Sequence, residues 1–100
     1  MERIPLSQIP NQAFTITLGD KLFDISILLG QNNNMLIAIT VDGSVQYQSL
    51  ACVHAAQIFP PPLNRKMGNM MWLCDDGASY PNYLNFGTTH NLYWWEYSDV

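Results

Sequence analysis

Between Ala13 and Cys52 apolar and polar residues alternate in four consecutive stretches, separated by short turn signals. Period two puts successive side chains on opposite faces of an extended chain, so each stretch reads as a strand with one buried face. Ala13–Leu18 carries Phe14, Ile16 and Leu18 on one face and Thr15 and Thr17 on the other. Lys21–Leu29 sets Phe23, Ile25, Ile27 and Leu29 against Asp24 and Ser26. Met35–Val41 groups Met35, Ile37, Ile39 and Val41, and Ser44–Cys52 sets Val45 and Tyr47 against Gln46 and Gln48. Gly19-Asp20 and Asp42-Gly43 suit two-residue hairpin turns, because glycine takes positive φ without steric cost. Gly30–Asn34 is a polar loop. Four strands joined this closely pair as an antiparallel meander over residues 13–52.

The flanks follow other rules. Ile4-Pro5-Leu6 and Pro10-Asn11-Gln12 predict an extended arm over residues 1–12. Phe59-Pro60-Pro61-Pro62-Leu63 excludes helix interior and central strand, since each proline lacks an N–H and fixes φ. It predicts a rigid crossover over 53–68, with Val53–Ile58 as the one place for a helical turn. Asn69–Cys74 reads as a fifth strand ended by Asp75-Asp76-Gly77. A long irregular loop follows from Ala78 to His90, and the last strand, Asn91–Tyr97, is aromatic on both faces. The pattern predicts one all-β domain, a small antiparallel β-sandwich or partly open β-barrel of about six strands with an N-terminal arm and long loops.

One hundred residues are enough for a single core. Charged residues make up 12% of the chain, about half the usual share. A surface so poor in charge points to cover by partners. The net charge is −4, and Arg3, Lys21, Arg65 and Lys66 form no stripe. That excludes a phosphate-backbone partner and a polybasic membrane patch. Met1–Pro5 opens no apolar run of signal-peptide length, and no stretch reaches the ~18–20 residues that cross a bilayer. Maturation in the cytoplasm is therefore expected, with Cys52 and Cys74 free and buried.

The soft metal ligands are Cys52, His54, Cys74 and His90, and they motivate one reading as a small metal- or thiol-dependent enzyme. The close Cys-Cys or His-His pairs typical of zinc sites are missing. Neither cysteine carries a local mark of a nucleophile. Asp75-Asp76-Gly77 reads as a turn, and there is no phosphate-cradling loop. No catalytic, metal or cofactor residue is expected. Trp72, Trp94, Trp95, Tyr80, Tyr83, Tyr93 and Tyr97 leave two readings open. They can stack on sugars, which makes a carbohydrate-binding β-sandwich module the alternative. They can also form the centre of a protein–protein interface, which is favoured.

The order of the parts adds a resemblance. Ile4-Pro5-Leu6 followed by Pro10-Asn11-Gln12-Ala13-Phe14-Thr15-Ile16-Thr17-Leu18-Gly19 resembles the start of the baseplate plug proteins of contractile-tailed bacteriophages. The likeness continues through Gln31–Asn34 and Asp42-Gly43, and returns where Phe86-Gly87 precedes Leu92-Tyr93-Trp94. From Ala51 to Tyr83 it is loose. The resemblance implies a non-enzymatic virion protein, made in the host cytoplasm and placed at the tail baseplate. It implies a part that plugs or connects the tail tube, or its initiator, to the central hub and spike. Its partners would be those tail proteins and copies of itself, with no nucleic acid and no membrane. The interface residues expected on this basis are Ile4, Leu6, Phe14, Tyr80, Tyr83, Tyr93, Trp95 and Tyr97.

Overall fold

A computed structural model describes residues 2–30, 34–59 and 64–96 of the chain. The meander forms as its alternation dictates. Strands β2 (Gln12–Leu18), β3 (Lys21–Leu29), β4 (Met35–Val41) and β5 (Ser44–Ala51) make one antiparallel sheet in chain order. Leu18 pairs with Lys21 across Gly19-Asp20, and Val41 with Ser44 across Asp42-Gly43. Asp42 and Gly43 both have positive φ, 50° and 84°. A type I′ hairpin turn requires that, and its twist matches the flanking strands. Asp42 strengthens the corner, since its N–H donates to the Leu22 carbonyl and its Oδ1 accepts from the Leu22 N–H, each at 2.8 Å. β5 departs from the regular ladder, with register shifts between Ile37 and Ile39 and between Ile39 and Thr40.

The second sheet has three strands in the order β1 (Glu2–Ile4), β7 (His90–Trp95), β6 (Asn69–Cys74). Here the N-terminal arm differs from a free extension. Its first residues pair antiparallel with the last strand, Glu2 opposite Trp94 and Ile4 opposite Leu92. Ile4 is only 2% exposed and belongs to the chain's own core. The rest of the arm crosses from one sheet to the other and is tied at both sides. Gln8 Nε2 donates to the Phe86 carbonyl at 3.1 Å, and Asn11 Oδ1 accepts from the Leu29 N–H at 3.1 Å.

The buried faces of the two sheets share one core. Phe23 meets Phe59 and Trp94 edge to face, at centroid separations of 6.3 and 6.4 Å. Trp72 stacks on Phe86 at 5.3 Å. In β7 Leu92 and Trp94 point inward, while Tyr93 and Trp95 are half-buried on the other face. The aromatic last strand thus has one defined parity.

Several boundaries differ from expectation. The seventh strand is β1, too short for any periodicity to mark. The meander's last strand stops at Ala51, after which Cys52 N donates to the Met35 carbonyl at 3.0 Å. Val53–Ile58 forms no helical turn. Ala55 is left-handed, with φ of 59°, and Ala55 and Ile58 donate instead to Trp72 and Met70 carbonyls of β6. The helical turn lies at α1 (Asn64–Met67), and a 3₁₀ turn spans Tyr83–Asn85 within the long loop. The last strand is His90–Trp95 rather than Asn91–Tyr97. Residues 31–33 of the polar loop, 60–63 of the proline run, and Tyr97 fall outside the described residues.

Candidate functional site

The two histidines both lie against the second sheet, and both act as hydrogen-bond acceptors. His54 Nδ1 accepts from the Cys74 N–H at 2.9 Å. His90 Nδ1 accepts from the Asn82 N–H at 2.8 Å. An imidazole nitrogen that accepts carries no proton, so the proton of neutral His90 sits on Nε2. Nε2 lies 3.0 Å from each carboxylate oxygen of Asp76, to which it donates. Asp76 Oδ1 also accepts from the Ala78 N–H at 3.1 Å. Together these bonds pin the turn after β6 and the loop before β7 to one buried ring.

That network holds the Asp76 carboxyl below its ordinary range, first through the Ala78 N–H and then through His90. A carboxyl depressed in the folded chain stabilises the fold above its unfolded value, and the benefit disappears as pH falls through the folded value. Urea midpoints measured from pH 6 downward should therefore drop on the acid side. Asp76→Asn should flatten that drop, because the group that titrates is gone. An unchanged acid limb in the variant would remove Asp76 from this role.

The thiols are poor nucleophiles here. Burial pushes Cys52 up to about 12, offset in part by the Trp72 indole N–H. That indole has no conventional hydrogen-bond acceptor among the described residues, and a thiol accepts only weakly. Cys74 is also raised, by burial and then by the charges of Asp76 and Asp75. Both are therefore protonated near neutral pH, whereas attack and metal binding need the thiolate. Among the described residues no group of three or more His, Cys, Asp or Glu is placed to hold a metal ion. His54 and His90 are occupied with backbone N–H groups on opposite sides of β6, and Cys52 and Cys74 face the interior. What this cluster does chemically is fasten loops.

The expected interface residues are not gathered into one patch. Tyr93 and Trp95 share the outward face of β7. Tyr80 is 56% exposed on the long loop. Leu6, Phe14 and Tyr83 are half-buried and pack against the core from its rim. Ile4 is inside the core, and Tyr97 lies outside the described residues. The structure adds exposed apolar side chains that the alternation argument passes over. Leu84 is 63% exposed on the 3₁₀ turn, and Ile9 is exposed on the arm. Leu22, Leu28 and Val45 are exposed on the sheet face that carries Asp24 and Ser26. Leu22 and Leu28 did leave a signal, since they break the polar side of the Lys21–Leu29 alternation. A shallow, open depression lies over Ala13–Thr15 and Asp24–Ser26 on β2 and β3. Among the described residues no helix is long and apolar enough to cross a membrane.

These features define a class: a small protein of two mostly antiparallel sheets with apolar side chains turned outward and, among its described residues, no cluster placed to hold a metal ion. The chain belongs to the family described as Cyanophage baseplate Pam3 plug gp18, whose family model matches residues 1–97. No curated protein matches it.

Proposed function

We propose that this protein is a structural component of a contractile-tail baseplate, plugging or connecting the tail tube to the central hub and spike through protein–protein contacts. The observation that carries this reading is the family match over residues 1–97. The composition supports it, because a part packed into a dense assembly needs little surface charge, and this chain has 12% charged residues. Outward aromatic and aliphatic side chains support it too, since such residues dominate the centres of interfaces. In this reading residues 1–100 act as one plug-like domain whose two sheets work as a small sandwich. Tyr93, Trp95 and Tyr80 present the main contact surface, with Leu6, Phe14 and Tyr83 at its margin. Tyr97 is a further contact residue in this reading. Ile4 acts indirectly, by holding β1 in place. The partners are the tail tube or its initiator, the hub, the spike and further copies of the chain. The protein is made in the host cytoplasm and ends in the virion.

Cryo-electron microscopy of intact tails tests the proposal. Density for this fold is expected at the tail tip, beside tube and hub. Phage lacking the gene should yield no infectious tails, and normal infectious particles without it would overturn the reading. Tyr93→Ala and Trp95→Ala should lower tail assembly while changing the stability of the isolated domain by less than about 1 kcal/mol.

A further inference from the structure

Four strands lie at the sheet edges, and three are protected. β1 has only three residues. β5 is irregular, with two register shifts. The outer edge of β6 is covered by the chain itself, through Ala55 N to the Trp72 carbonyl and Ile58 N to the Met70 carbonyl. Short length, bulges and cover are the usual means of blocking a sheet edge. β2 has none of them. Its seven residues pair with β3 without a register shift, and it contains neither a charge nor a proline.

The backbone phase of β2 follows from its neighbours. Leu22 exchanges hydrogen bonds with Asp42, on the β4 side of β3. Leu29 N donates to Asn11, on the β2 side. Odd-numbered residues of β3 therefore aim their backbone groups at β2, and even-numbered ones at β4. The partners of the odd residues are Gln12, Phe14, Ile16 and Leu18. It follows that the N–H and C=O groups of Ala13, Thr15 and Thr17 point out of the sheet edge, because these directions alternate along an antiparallel strand. No hydrogen bond pairs them among the described residues.

We infer that this edge binds the β2 strand of a second copy of the chain, antiparallel, about a two-fold axis at Thr15. Among two-fold registers, this one alone pairs all three outward-facing residues. Thr15 meets its own counterpart, and Ala13 meets Thr17 of the other copy. All three outward-facing residues then fall in hydrogen-bonded pairs, giving about six new bonds. On the inner face Phe14 meets Ile16, so two apolar side chains that are half-buried in one copy become covered by the other. On the outer face Thr15 meets Thr15, a favourable cross-strand pair, and Thr17 meets the small Ala13. No charge on the strand opposes the contact. An isologous contact of this kind closes after two copies, which leaves no further β2 edge for growth. The inference needs only the chain itself, so its failure would leave the baseplate reading standing.

Cysteine cross-linking of the full chain tests the register. Paired hydrogen-bonded residues have Cα atoms ~5.5 Å apart, within the range a disulfide accepts. Thr15→Cys should oxidise to a linked dimer. Thr17→Cys should link on the order of tenfold less, since four residues along a strand place the two sulfurs ~13 Å apart. The native cysteines are buried and should not compete. In sedimentation the unmodified protein should be a dimer, and Thr15→Pro, which removes the outward N–H together with the exposed hydroxyl bond to Asp24, should be a monomer with unchanged circular dichroism. An unmodified chain that stays monomeric overturns the proposal. So does Thr15→Cys linking no better than Thr17→Cys.

Discussion

Trp94→Ala is expected to destabilise the domain by about 3–5 kcal/mol, the usual cost of deleting a large buried aromatic. Three contacts set that size. The indole is 5% exposed and sits edge-on against Phe23 of the other sheet. Its N–H donates to the Met67 carbonyl at 2.9 Å, which fixes the helical turn before β6. Its ring also packs over the Gly19 hairpin. Removing it opens a cavity between the sheets and strips a carbonyl of its partner. A domain of this size has only about 5–15 kcal/mol of net stability, so the variant should be close to unfolding at ambient temperature. Trp95→Ala is the matched control, since that ring lies on the outward face. Urea denaturation of both reads the contrast. A larger loss from Trp95→Ala would mean that the last strand has the opposite parity.

Gly68→Ala should be nearly as damaging, at about 3 kcal/mol or more, from backbone strain and overpacking together. Gly68 has φ of +73°, where an L residue is strained. A Cβ there would lie 2.5 Å from the Trp95 carbonyl oxygen and 2.8 Å from Trp94 Nε1. The first is backbone inside a paired strand. The second is an indole already fixed by its bond to Met67. Neither can retreat without breaking something else. Gly77→Ala isolates the strain alone, because Gly77 also has positive φ, 84°, yet has nothing within 4 Å of a built Cβ. It should cost only about 1 kcal/mol. Thermal unfolding of the pair separates the two contributions. If both variants lose the same amount, crowding at Gly68 is not the cause.

The parts legible in advance were those whose information is local. β2, β3 and β4 showed as alternating runs, and the Asp42-Gly43 turn as a dipeptide with one good conformation. β1 was not legible, since Glu2–Ile4 is too short to express a period and gains its partner from the far end of the chain. Cys52–Phe59 has no period because it is held by single hydrogen bonds to β6 rather than by a regular ladder. The fastening role of His90 depends on Asp76 and Asn82, which only the loop's path brings together. Tyr93, Trp94 and Trp95 are all large aromatics, so periodicity gives neither face priority.

By itself the sequence determined an antiparallel four-stranded meander, a chain poor in charge, and the family-like order of its parts. Strand alternation and hairpin turns are decided within a few residues, so no distant contact is needed to set them. Tertiary structure alone decided that the arm's first residues complete the chain's own second sheet. It also decided which aromatics are core and which edge is left bare. Those outcomes depend on burial between elements from opposite ends of the chain, as Glu2 opposite Trp94 shows. Burial is a property of the packed pair and not of either strand.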